Sequence, residues 1–379
     1  MGKRLQIVLN YSYNENWIGG TYYIQNLIHS LKTLPDSVKP ILYIKPTNQK
    51  VVEELFQITS YPYLKPFALY NNLNLAKRAI NKLSNLLLKK DIFPLYNNFD
   101  AYFPIFNEKE NLDKKIFWIP DFQEKHLPHF FTEADIKDRN ETYLNIQKNA
   151  EFVIFSSADA QKDFNKFYPN AKPKQFVLNF ATFHQNKNLP SKENVLDKFE
   201  IKSEYFLCSN QFWEHKNHII ILNAISLLKN DGINILVVFT GKEQDYRNPD
   251  YFDNLKKQIA VLEIEDNVKF LGFIAREDQI VLLQNCKAII QPSLFEGWST
   301  VNEDAKAENT FILASNLEVN KEQLEKYPNY LLFDPYDEMD LVNLIKKDNF
   351  ATEKIDYDIS QRKFGENFLA IIKSITEGK

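Results

Sequence analysis

Short apolar runs rich in β-branched residues alternate with amphipathic helical stretches along the whole chain. That alternation allows little besides parallel sheets covered by helices on both faces. The expected strands fall into two series. The first lies at residues 5–9, 40–44, 102–105, 116–119, 152–155 and 176–178, the second at 205–208, 235–240, 268–271, 288–291, 311–314 and 330–333. Between them, Thr182-Phe-His-Gln-Asn-Lys-Asn-Leu-Pro-Ser-Lys192 is polar and aperiodic, as a linker would be. At about 150 residues per domain, a chain of 379 residues suits two domains. The expected organisation is α/β: a doubly wound N-terminal domain over 1–185, a second over 186–358, and a last helix within 359–379.

Composition narrows the function classes. A hydrophobic content of 44% with 25% charged residues excludes a disordered chain. The net charge of −4 argues against a nucleic-acid binder held by phosphate attraction, which leaves small molecules and local surfaces as partners. Cys208 and Cys286 lie in apolar runs without metal or redox spacing, which fits buried thiols in a reducing compartment. The apolar run near the N-terminus is too short for a signal peptide and reads as the first strand. No apolar window approaches the roughly 20 residues that span a bilayer, so the expected location is cytoplasmic.

The richest segment is Gln291-Pro-Ser-Leu-Phe-Glu-Gly-Trp-Ser-Thr-Val-Asn-Glu-Asp-Ala-Lys-Ala307. A strand ends at Pro292, and Gly297 allows close approach of the backbone. Thr300-Val-Asn-Glu303 has the form of a capping box opening a helix. The free amides of such a start face an anion. The segment resembles the E-x7-E region of the retaining, GT-B-fold glycosyltransferases of family 4, with Glu296 at the first acidic position and Asp304, in place of Glu, at the second. The resemblance implies two Rossmann-like domains facing a cleft, with the last helix crossing back to the first domain. It also implies that Glu296 holds hydroxyls of the transferred sugar and Asp304 the ribose. Amides from Gly297 through Trp298, Ser299, Thr300 and Val301 would take the diphosphate. Trp298 either walls the pocket or anchors the turn, and Glu303 reads as the capping partner of Thr300.

Tyr205-Phe-Leu-Cys-Ser-Asn-Gln-Phe-Trp-Glu-His-Lys-Asn-His218 runs from a strand into a helix and puts Lys216 near that helix's first turn. A cation there opposes the helix dipole, a conflict that a bound phosphate removes; a lysine pointing into water is the alternative. The segment is similar to the family's Gly-Arg…Lys stretch, with Gln211 where the phosphate-binding arginine usually stands. Gly241 and the run Phe270-Leu-Gly-Phe-Ile-Ala-Arg276 follow further strands. By resemblance Phe273 and Ile274 hold the nucleobase, while Arg276 either reaches a phosphate or is solvated. In the first half, Trp17-Ile-Gly-Gly-Thr-Tyr22 joins a strand to a helix, and the resemblance makes Gly19 and Gly20 site residues. Ile119-Pro-Asp-Phe-Gln-Glu-Lys-His126 looks like an acceptor-side loop, in which Asp121 and His126 position the acceptor or the sugar, or else cap turns around the prolines.

Competing signals are weaker. His126-x-x-His129 and His215-x-x-His218 lack a third ligand of metal spacing. Asp356-Tyr-Asp358 is the sole D-x-D and lies outside the nucleotide-binding halves. The glycines at 19 and 20 do not form a dinucleotide fingerprint. The stretch 74–90 is a basic amphipathic helix, read as core-facing with a solvated face, with peripheral contact to the inner face of the plasma membrane through 73–90 as the alternative. The expected activity is metal-independent, retaining transfer of a hexose or deoxyhexose from a nucleotide-diphosphate sugar to a glycan or lipid-linked saccharide, with no cofactor. A sugar-nucleotide epimerase or hydrolase, or a non-catalytic binding protein, would share these features.

Overall fold

A computed structural model of the chain describes residues 4–13, 18–45, 48–67, 75–88, 99–106, 114–184, 189–245 and 247–377. Trp17, residues 185–188 of the expected linker, and positions 73, 74, 89 and 90 lie outside them. The chain forms two sheets. The first contains β1 (Gln6–Asn10), β2 (Ile41–Lys45), β3 (Leu64–Pro66), β4 (Ala101–Ile105), β5 (Lys115–Ile119), β6 (Phe152–Phe155) and β7 (Lys174–Val177), in the order β3-β2-β1-β4-β5-β6-β7. The second contains β8 (Phe206–Ser209), β9 (Val237–Thr240), β10 (Val268–Phe270), β11 (Ile289–Gln291), β12 (Ile312–Ser315) and β13 (Tyr330–Phe333), in the order β10-β9-β8-β11-β12-β13. The strands pair in parallel, in register Val8↔Tyr43 and Val8↔Tyr102 in the first sheet and Cys208↔Phe239 and Ile290↔Leu313 in the second.

The strand order reverses beside β1 in one sheet and beside β8 in the other. Ligands of doubly wound sheets bind outside the carboxyl ends of the strands at such reversals. Alternation of side chains across the second sheet explains its double cover. Phe206, Cys208, Phe239 and Ile290 bury one face under the helices His218–Asn230 and Glu338–Lys346, whereas Leu207, Val238, Ile289 and Ile312 bury the other under Arg276–Asn285 and Thr300–Ala307.

The chain divides into two compact units, residues 1–118 with 150–153 and 362–379, and residues 119–149 with 154–361. In the first, the last helix (Asp358–Thr376) packs Phe364 on Tyr23 and Phe368 on Phe103, at ring separations of 5.6 and 5.4 Å. It approaches the helix Ile18–Thr33 at Gly365, where a Cβ would lie 2.8 Å from Ser30 Oγ. The helix Leu75–Leu88 departs from the expected core-facing arrangement: Asn81 and Ser84 are buried, and Ile80, Leu83 and Leu86 are exposed. No helix among the described residues is long and apolar enough to cross a membrane.

Candidate active site

The loops that leave β8 and β11 meet at the reversal of the second sheet. After β8 the chain makes a 3-10 turn, Glu214–Lys216, and Asn217 takes a left-handed φ of 56° before the helix His218–Asn230 begins. Lys216 therefore stands just before the helix, near its first turn. Two neighbours fix this loop: Leu294 donates its amide to the His215 carbonyl, and Asn217 donates its side-chain amide to the carbonyls of Pro292 and Pro335. The Lys216 ammonium is thus brought onto Glu296 Oε1 at 2.7 Å, with both side chains largely buried. Gln291 Nε2 donates to the same oxygen at 2.8 Å.

Gly297 makes the turn possible. A Cβ there would stand 2.6 Å from the Pro120 carbonyl oxygen and 2.9 Å from Asp121 Cβ, distances that side chains do not tolerate. The same glycine brings Asp121 against the Glu296 turn, within one unit. Asp121 Oδ1 accepts from the amide of Gln123, closing the loop into a local turn. His126 lies tilted against Phe295 with ring centres 5.3 Å apart and pairs through Nε2 with Asp163 Oδ2 at 2.5 Å. That carboxylate raises the pKa of His126 against the opposing effect of burial.

The helix Thr300–Ala307 is capped differently from the expected box. Ser299 is the N-cap and accepts from Asn302 N, while Glu303 turns inward to accept from Lys306, Gln323 and Tyr357. Burial explains the choice: Glu303 is 1% exposed, and a carboxylate there needs those donors. The amide of Ser299 is taken by Gln323 Oε1. Among the described residues, no group accepts from the amides of Gly297, Trp298, Thr300 or Val301. Trp298 donates its indole N–H to the Phe180 carbonyl and so anchors the turn.

Asp304 lies one turn into this helix, 3% exposed, where Arg276 Nη2 donates to Oδ1 at 2.6 Å and His184 Nε2 bonds to the same oxygen at 2.9 Å. Two expected ligand residues, Arg276 and Asp304, therefore meet. Burial alone would raise the Asp304 pKa, but Arg276 and His184 hold it well below the usual carboxylate range. His184 also pairs with Glu308, and its pKa is raised despite burial because two carboxylates flank it. Sequence reading missed His184, which stands in an aperiodic segment and finds partners far along the chain. It also missed Gln291 and Gln323, although a polar residue closing the run Ile289-Ile290-Gln291 is a visible signal.

The remaining expected residues are placed as follows. Gly241, with φ of 147°, would put a Cβ 2.0 Å from the Asn210 carbonyl oxygen, so only glycine lets these two loops touch. Gln211 is half-buried in the loop after β8, Phe273 is 68% exposed and Ile274 packs into the core. Gly19 and Gly20 open the helix Ile18–Thr33, and Gly20 lines a small pocket with Asn10, Ser12, Pro104 and Trp118. The histidines of the two H-x-x-H runs have other partners: His215 receives Arg247, His218 stacks on Phe212, and His129 lies against Phe130. Burial lowers the pKa of His218 to about 3. No group of three His, Cys, Asp or Glu side chains among the described residues is arranged to hold a metal ion.

A cation, a carboxylate and four amides without acceptors among the described residues thus gather at a strand-order reversal. Residues 191–352 match the model of the family Glycosyl transferases group 1. Over 160 residues the chain is 30% identical to the O-antigen chain mannosyltransferase RfbU of Salmonella typhimurium, with 42% of each chain covered. It is 29% identical over 224 residues to Protein CapJ of Staphylococcus aureus, covering 58% of this chain and 51% of that one. The matched stretches thus span about half the length of these curated relatives. The structure of HepE from Anabaena, in complex with UDP and glucose, superimposes with a TM-score of 0.59 at 15% identity, covering 99% of this chain and 98% of that one. The fold is that of the GT-B glycosyltransferases, two Rossmann-like α/β domains with parallel sheets of seven and six strands.

Proposed function

We propose that the chain is a retaining, metal-independent glycosyltransferase that moves a hexose or deoxyhexose from a nucleotide-diphosphate sugar to a hydroxyl of a glycan or lipid-linked saccharide in cell-surface polysaccharide synthesis. The observation that carries this reading is the contact between Lys216 Nζ and Glu296 Oε1, 2.7 Å long, beside the open helix start at Thr300. Donor binding gives the ammonium and the amides a diphosphate to hold and gives the carboxylate the sugar's hydroxyls. The likeness to a mannosyltransferase and to a protein bound to UDP and glucose supports a nucleotide-sugar donor.

In this reading the acceptor oxygen attacks the anomeric carbon on the face that the phosphate leaves. The carbon–phosphate-oxygen bond breaks with its electron pair on the departing phosphate, which takes the acceptor's proton. Lys216 and the amides of Gly297, Trp298, Thr300 and Val301 stabilise the charge that develops, which is the term that most lowers such barriers. Asp121 and His126 line the acceptor side.

Thermal stabilisation against UDP-, GDP- and dTDP-sugars identifies the donor. With that donor, Glu296→Ala and Lys216→Ala are each expected to lower turnover by about 10²-fold or more. Near-normal turnover in folded variants removes these roles. The exposed Ile80, Leu83 and Leu86, with Lys82 exposed beside them, support peripheral contact with an anionic membrane. Flotation with anionic liposomes is expected to carry the protein at low salt and release it at high salt, and absence of binding at low salt ends this part of the reading.

A further inference from the structure

We propose that Gln291 is a positioning residue for the Glu296 carboxylate, holding it in place while Lys216 turns to the donor's phosphate. The inference rests on the reading of Glu296 given above. Gln291 closes β11 and is 1% exposed. A buried amide is costly unless its polar atoms are matched, and here they are. Oε1 accepts from Asn210 Nδ2 at 2.6 Å, and Nε2 donates both to Glu296 Oε1 at 2.8 Å and to Ser299 Oγ at 3.1 Å. This orientation follows from the partners: the reverse would set a carbonyl oxygen against a carboxylate and two amide nitrogens against each other.

The single side chain thereby joins the loop after β8, the Glu296 turn and the cap of the helix Thr300–Ala307. Its effect on Glu296 differs from that of Lys216. An ammonium on a flexible stem is a rotatable point charge, and in the proposed function it must also serve the phosphate. The Gln291 amide is locked by Asn210 and Ser299 and has no second task. With Oε1 occupied by Gln291, Oε2 is the oxygen left to accept from sugar hydroxyls.

The test compares affinity for a nucleotide sugar with that for its nucleoside diphosphate, using UDP-glucose with UDP and GDP-mannose with GDP, measured by calorimetry. The proteins are the wild type, Gln291→Met, Glu296→Ala and the double variant. Methionine keeps the length and removes the donor. The affinity gained from the sugar is expected to fall about tenfold in Gln291→Met, as for a lost hydrogen bond to a charged group, with affinity for the diphosphate unchanged. Adding Gln291→Met to Glu296→Ala is expected to cost nothing further, since both act through one carboxylate. A role in packing alone would weaken both ligands alike and add to Glu296→Ala. An undiminished sugar contribution in Gln291→Met, or additive losses, overturns the proposal. If Gln291→Met does not fold, Gln291→Glu sets a second carboxylate against Glu296; loss of the sugar contribution supports the inference and its retention overturns it. A wild-type protein that gains nothing from the sugar in either pair, nor from any UDP-, GDP- or dTDP-sugar of the thermal screen, removes the parent reading and this inference with it. Loss in Glu296→Ala with an intact Gln291→Met removes this inference alone.

Discussion

His184 illustrates how one buried residue couples the site to pH. It is flanked by Asp304 and Glu308, and those carboxylates raise its pKa although burial alone would lower it. The sign follows from linkage: a histidine whose folded pKa exceeds its unfolded value of about 6.5 stabilises fully below that value. The contribution disappears as pH rises through the folded pKa. Asp304 and Glu308, both lowered, act in the opposite direction, stabilising above their unfolded values and failing as acid titrates them. His184→Gln is expected to cost about 3 kcal/mol at pH 6, the order found when one member of a buried pair is removed. The gap between variant and wild type should narrow on the alkaline side. Urea unfolding at a series of pH values checks this; a gap independent of pH means that folding leaves the His184 pKa unchanged, and a gap that widens as pH rises means that His184 is neutral in the folded protein.

Two helices show how similar starts come to do different work. At the helix Ala158–Phe167, Ser157 accepts from Ala160, and Glu322 occupies the remaining first-turn amides, Oε1 accepting from Ala158 at 2.9 Å and Oε2 from Asp159 at 3.2 Å. That end is filled from within by a carboxylate. At the helix Thr300–Ala307, Ser299 caps Asn302 in the same way, but the amides of Thr300 and Val301 receive no such partner among the described residues. The one helix start is a structural joint, and the other keeps amides that in the proposed function face an anion. Glu322→Ala leaves two first-turn amides without their acceptor, while Asn179 Nδ2 keeps the Ser156 carbonyl, and is expected to cost about 2 kcal/mol of stability. Affinity for nucleotides should not change. Chemical unfolding and calorimetry together test this pair of expectations, and weakened nucleotide binding would mean that the two helix starts are coupled.

At the scale of the molecule, the alternation of strands and helices was legible because parallel strands buried on both faces are continuous apolar runs. The strand β3 (Leu64–Pro66) escaped because three residues ending in proline carry no periodicity. The facing of the helix Leu75–Leu88 escaped for a different reason: periodicity shows that a stripe exists, not which stripe its neighbours cover. The turn at Glu296 and Gly297 and the loop that carries Lys216 were legible because turn chemistry and helix starts are local. Gln323 and His184 act through partners distant in sequence, and Gln291 is held by the distant Asn210 as well as by the nearby Glu296 and Ser299; one chain read alone does not pair the distant ones. These distinctions fix where a ligand should be felt. The amides of Gly297, Trp298, Thr300 and Val301 have no acceptor among the described residues, so they should exchange with solvent until an anion supplies one. On adding UDP or GDP, hydrogen exchange is expected to slow over residues 297–304, with lesser slowing over 209–216 and 272–276, where Lys216 and the loop after β10 stand. Peptides covering β2 (Ile41–Lys45) and the helix Ala158–Phe167 should be unaffected, the latter because Glu322 already satisfies its first turn. Protection centred on β1 or β2 instead would move the nucleotide to the other sheet and leave the open amides at Thr300 without a ligand.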